Sequence, residues 1–235
     1  MKRRLFLLSA VLAIILTAAC SPEKNEHTEH VTIDSANIDE YLTDLPEYDK
    51  ITVKIDKSKF TEELTDDYIE RYYERLAKGV EGLTDEEGNL LPLSDETVAL
   101  LNIPAFSDLN EFKVFVRGVV EGFIDKENDD KKINAALEIM RNEASFAEIP
   151  EDYLAGIRER IVSEYEGIAA EYDISANDYL RLSDIPLEEE VLKGAKNELI
   201  YIKLAKRLGL EYADRDKMIE GVREYLLGII KVSKK

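Results

Sequence analysis

The chain has 235 residues, with 50 Asp and Glu against 31 Lys and Arg and a formal net charge of −19. That surplus repels phosphate backbones and anionic lipid headgroups, which argues against nucleic-acid binding and against a membrane link made through a basic face. A single cysteine, two histidines within the first 30 residues and no tryptophan exclude a disulfide within one chain. Beyond residue 30 they also exclude a Ser-His-Asp or Cys-His nucleophile system and a zinc site built from Cys and His.

The first nineteen residues are laid out as a secretory signal. Lys2, Arg3 and Arg4 are basic, Leu5 to Leu16 is apolar apart from Ser9, and the small residues Ala18 and Ala19 precede Cys20. The apolar run is short for a membrane-spanning helix. Its end resembles a bacterial lipoprotein lipobox, with Leu16 four before the cysteine and Thr17 where leucine is usual. The resemblance implies cleavage between Ala19 and Cys20, a diacylglyceryl group on Cys20, and a place on the extracytoplasmic face of the cell membrane. Each buried methylene adds about 0.8 kcal/mol, so two acyl chains on one sulfur anchor stably. Without Lys2, Arg3 and Arg4 the net charge of −19 becomes −22. Residues 1–19 are thus read as signal peptide, 20–45 as a lipidated flexible tether and 46–232 as a folded helical domain. Within the tether, Glu26, His27, Glu29 and His30 have no rigid element to position them, and they read as solvated chain rather than as a metal site.

In "YDKITVKID", Ile51, Val53 and Ile55 alternate with Thr52 and Lys54, the period of a half-buried strand. "TDDYIERYYERLAKG" carries a capping-box pattern at Asp67 and Glu70 and a stripe of Ile69, Tyr72, Tyr73 and Leu76 ending near Gly79. Glu81 to Glu96, with two glycines and a proline, is a connection. From Ser107 the pattern is helical almost throughout. Asp108 and Glu111 form a second capping box; Leu109, Phe112, Val116, Val119 and Phe123 share a face that Phe115 and Val120 widen, and Ile133, Leu137 and Met140 continue it. A helix opening at Pro150 repeats Leu154, Ile157, Ile161, Tyr165, Ile168 and Tyr172 at steps of three and four. "SANDYLRL" is one short helix, and two more long ones follow. Gly118 and Gly122 make a G-x-x-x-G, but Arg117 and Glu121 beside them argue for close packing in water rather than pairing in lipid.

Carboxylate pairs such as Glu62–Glu63 and Asp66–Asp67 read as solvated charge, since a catalytic pair needs unequal surroundings that split its pKa values. "DKENDDKK" lacks the glycine and the closing glutamate of a calcium loop. Neither a phosphate loop nor a dinucleotide fingerprint is present. The reading is a mainly α chain of long helices with a short β element near its start, without a cofactor or a metal.

The ordered stretches resemble the C-terminal, substrate-cradling domain of trigger factor, a bacterial chaperone. "EYDKITVKID" with "LTDDYIERYYERLA" is similar to that family's strand and following helix. "LPLSDETVALLNIPAFSDLNEFKVFVRGVVE", "FAEIPEDYLAGIRERI", "SANDYLRLSDIPLEEEV" and "NELIYIKLAKRLGLEYADRDKM" are similar to its later passages, in order, over about residues 45 to 230. No ribosome-binding segment precedes residue 45, and only "LTDEE" stands where the FKBP-type prolyl isomerase head would fit, far too short for an enzyme domain. The resemblance therefore implies a mainly α, trigger factor C-terminal-like (SurA-like) cradle. It implies neither ribosome docking nor isomerase activity.

The expected function is that of a membrane-anchored, extracytoplasmic chaperone-like lipoprotein that binds unfolded or newly exported polypeptides. It would work without ATP, since no nucleotide loop exists and the outer face of the membrane lacks a reliable supply. Apolar and Tyr-rich faces would hold the client and acidic rims would keep the complex soluble. Candidate contact residues are Phe112, Phe115, Ile157, Ile161 and Tyr165, although stripes at helical spacing more often pack into a core. The competing expectation is an adaptor lipoprotein that holds one fixed envelope or secretion partner.

Overall fold

The computed structural model describes residues 32–212 and 214–233. The signal sequence, Ala19, Cys20, His27 and His30 lie outside the described residues. The chain is mainly helical, as expected. In order it forms α1 (Ile38–Tyr41), β1 (Leu42–Asp44), a 3-10 turn (Tyr48–Lys50), β2 (Thr52–Val53), α2 (Glu62–Ala77), α3 (Asp95–Leu100), α4 (Leu109–Glu143), β3 (Ser145–Phe146), α5 (Glu151–Ala170), α6 (Ala176–Leu182), α7 (Leu187–Leu208), α8 (Arg215–Ile229) and β4 (Lys231–Val232). These divide into two compact units, one from residues 32–51 and 136–230, the other from residues 52–135 and 231–233.

The first unit is organised around α7. Every residue from Glu198 to Ala205 is buried, so this stretch of α7 is surrounded by protein on all sides rather than showing one apolar face. Gly209, at φ +65°, ends it in the left-handed conformation, which glycine adopts without the Cβ penalty. Residues assigned to the tether by sequence belong to this unit. Ile33, Ile38, Leu42 and Leu45 are all buried, and β1 pairs antiparallel with β3, Leu42 opposite Phe146. Their spacing suggests neither a helix nor a strand of ordinary length, because α1 and β1 are only four and three residues long. The fold thus starts about twelve residues before the boundary at 45 that composition suggested.

Two charges are buried in α7. Lys203, 7% exposed, pairs with Asp39 and donates to the Leu42 carbonyl at 2.9 Å. Lys206 reaches the other oxygen of Asp39 at 2.6 Å, and Arg207 donates to the Leu45 carbonyl. One turn of α7 therefore fixes residues 39–45 through charged hydrogen bonds, which are stronger than neutral ones. Glu198 is the second buried charge.

The second unit packs α2, α3 and the first part of α4. Thr61 caps α2 by accepting from the Leu64 N–H, so the Asp67–Glu70 pattern falls inside the helix and caps nothing. Thr65, Ile69, Tyr73 and Ala77 are its buried residues, four apart on one stripe. Phe112, Val116, Val120 and Ile124 face them from α4. Asp108 does cap α4, through the Glu111 N–H at 2.8 Å, but the Glu111 carboxylate turns back to Ser107 rather than to Asp108. The connection from Glu81 to Glu96 is more ordered than its composition suggests. Asp85 accepts from the N–H groups of Glu87 and Asn89, Thr84 bridges Leu90, and Ser94 with Thr97 builds a capping box at α3. β2 pairs in parallel with β4, Thr52 opposite Lys231 and Val53 opposite Val232.

Candidate binding surface

Of the five contact residues proposed from sequence, α5 carries three, Ile157, Ile161 and Tyr165, in the first unit. Phe112 and Phe115 lie on α4 in the second unit. Phe112 is fully buried, its ring 5.0 Å from Phe106 and 6.4 Å from Tyr72, so it presents no surface to a client. Ile157 is also buried, because α7 comes close at Gly194, where an added Cβ would sit 3.3 Å from the Ile157 side chain. Phe115, Ile161 and Tyr165 are half-buried. Phe115 borders the Phe106 and Tyr72 rings at 5.4 and 6.0 Å.

Toward its C-terminal end α5 becomes less covered. Only Ala169 is buried after Ile157, and Ile161, Tyr165 and Ile168 are half-buried. Helix α6, capped by Ser175 on the Asp178 N–H, folds back on it. The rings of Tyr165 and Tyr179 stack at 5.9 Å, and Tyr172 lies 5.8 Å from Tyr179. Burial, then Glu190 and Glu164, pushes the Tyr165 phenol above its ordinary pKa, so it stays neutral. Tyr172 is 50% and Leu182 69% exposed. Around them Glu164, Glu166, Glu171 and Asp173 are exposed carboxylates, while Arg181 is occupied by Asp178 at 2.8 Å. The result is an aromatic and aliphatic strip bordered by negative charge. Tyrosine suits such a strip because it pairs a large apolar face with a polar tip.

Nearer its N-terminus α5 is bound to α7 by ions. Arg158 grips Glu188 through Nε and Nη2 at 2.9 and 2.6 Å. Glu198, 7% exposed, accepts on its Oε2 from Arg160 at 2.5 Å and from Arg215 of α8 at 2.7 Å. Burial opposes the charge on Arg215, but Glu198 beside it prevails and raises the guanidinium's pKa. The Tyr153 hydroxyl is buried close to this carboxylate. Burial and then Glu198 drive it far above the ordinary phenol range, and it has no hydrogen-bond partner among the described residues. A cleft of about 200 Å³ opens here, bounded by Ile157, Ile161, Gly194, Glu198 and the two arginines. Sequence reasoning missed this cluster. The available signal was a pair of charges, Glu198 and Lys203, inside the otherwise apolar "NELIYIKLA", since charge in a buried helix needs a partner.

Among the described residues no group of three or more Asp, Glu, His or Cys could hold a metal ion, and no helix is long and apolar enough to cross a membrane. Comparison with protein-family models, with curated proteins and with solved structures returns no match.

Proposed function

We propose that the chain is a lipoprotein anchored through Cys20 to the extracytoplasmic face of the cell membrane, where it holds unfolded or newly exported polypeptides without ATP. The observation that carries this reading is the strip of Tyr165, Tyr179, Tyr172 and Leu182, left partly open at the α5–α6 end and bordered by carboxylates. An apolar patch rimmed by polar groups is the mark of an interaction site. The ordered resemblance to the trigger factor cradle domain points the same way. The contact set is accordingly Ile161, Tyr165, Tyr172, Tyr179 and Leu182, with Phe115 as a separate candidate on the second unit. No enzymatic step is part of the proposal.

The protein should suppress light scattering by several unrelated aggregating proteins. Changing Tyr172 and Leu182 together to Ser should weaken that suppression while the melting temperature stays nearly constant, because exposed positions seldom move stability by more than about 0.5 kcal/mol. Undiminished suppression by the double variant would remove the strip from the proposal. Capture of one partner with no suppression of unrelated clients would favour the adaptor. The anchor is tested separately: Cys20→Ser should leave the protein unprocessed or released from the membrane fraction, and wild-type maturation and fractionation would refute it.

A further inference from the structure

We propose that the cleft between α5 and α7 is a site for a carboxylate carried by a bound polypeptide, either the chain's terminal carboxylate or an Asp or Glu side chain. This rests on the polypeptide-holding function and names a chemical feature of the client that the aromatic strip does not read.

The cleft is rich in donors. Arg160 spends one N–H on Glu198, and Arg215 spends one on Glu198 and one on Asp216. Each guanidinium carries five. Both meet the same oxygen, Glu198 Oε2, so a single buried negative charge is shared between two positive ones. The Asn197 carbonyl is taken by Arg141, which leaves its amide N–H groups as donors. The negative groups at the rim are Glu164 and Glu190, and Glu190 is already held by Lys193 at 3.0 Å. Arg160, Lys193 and Arg215 oppose Glu164, Glu190 and Glu198 in the lining, so the cleft has no net positive charge, and a carboxylate would be held by the unspent N–H groups of the arginines, whose fork matches two oxygens. A doubly charged phosphate would face Glu164 and Glu190 at higher cost.

Size and floor agree. At about 200 Å³ the cleft lies below the roughly 300–1,000 Å³ of sites for cofactors and drug-sized ligands. Ile157 and Ile161 supply its apolar floor, and α7 packs closely on them at Gly194, whose Cβ would lie 3.3 and 3.7 Å away. One end of a peptide, with a small apolar side chain below its carboxylate, fits that shape.

The absence of tryptophan from the chain makes a Trp-labelled peptide a clean fluorescence probe. Three peptides of one sequence are compared on the full chain: a free C-terminus, an amidated C-terminus, and an amidated C-terminus with one added internal Glu. The free acid should bind about tenfold or more tightly than the amide, the scale of charged hydrogen bonds. Arg160→Gln should remove that preference by weakening the acid far more than the amide. Lys193→Gln, at the solvated rim, gives a second test that does not touch buried Glu198, and it should reduce the preference. Recovery of tight binding by the internal Glu assigns the side chain as a source of the same group. Equal binding of acid and amide would overturn the carboxylate site while leaving the polypeptide-holding function intact. Failure of all three to bind would overturn both.

Discussion

Phe112→Ala is expected to cost the second unit about 3–5 kcal/mol, the range for deleting a fully buried phenylalanine ring. Phe112 is closed in by Phe106 and Tyr72 and lies in the same stripe as Val116 and Val120, so little can collapse into the space. Phe115→Ala should cost clearly less, since that side chain is only half-buried. Urea unfolding followed by circular dichroism gives both values. The contrast also has a functional use, because Phe115 can be varied to ask about clients and Phe112 cannot. Equal losses at the two positions would mean that Phe115 is as much a core residue as its neighbour.

Lys203→Ala should remove about 1.5–3 kcal/mol for the charged hydrogen bond to the Leu42 carbonyl alone, with lost packing of the aliphatic stem adding to it. The effect should be local to residues 33–45, and their amide protons should exchange faster. The same cluster gives the fold an acid limb. Hydrogen bonds from Lys203 and then Lys206 lower the Asp39 pKa from 3.8 to about 2. A carboxyl depressed in the folded state contributes fully above its unfolded pKa, and the contribution fades as pH falls from 3.8 through 2. Asp39→Asn should therefore destabilise at neutral pH and flatten the stability profile between those two values. A variant with the wild-type acid limb would show that the Lys203–Asp39–Lys206 cluster does not operate in solution.

The helices were legible from sequence because their apolar residues recur at three and four, and tertiary packing adjusted them without replacing them. On the first part of α4 the buried residues are Phe112, Val116, Val120 and Ile124, with Leu109, Phe115, Val119 and Phe123 half-buried beside them; the stripe was right and its centre lay slightly to one side. Ile51, Val53 and Ile55 gave the correct alternation, with Thr52 and Lys54 exposed between them. Yet only Thr52 and Val53 are laddered, because β4 offers only two residues. Strand length belongs to the pair, so it could not be read from one partner. Asp67 and Glu70 misled because a capping box is a spacing that also occurs inside helices, and Thr61 supplied the actual cap. The Arg160–Glu198–Arg215 cluster was beyond reach for another reason. Its members come from three helices, and a spacing of 38 and 17 residues carries no periodic signal.

The pairing of β2 with β4 has a consequence for how the chain matures. The Val53 carbonyl accepts from the Ser233 N–H across 180 residues of sequence. A polypeptide is made from its N-terminus onward, so β2 is present long before its partner. Until residues 231–233 follow, one edge of β2 has no strand to bond, and closing so long a loop is slow even where its entropy cost grows only logarithmically with length. The 95 residues of the first unit numbered 136–230 pass during that interval. A fusion or truncation that blocks residues 231–233 would prolong it, leaving an unpaired strand edge exposed to neighbouring chains.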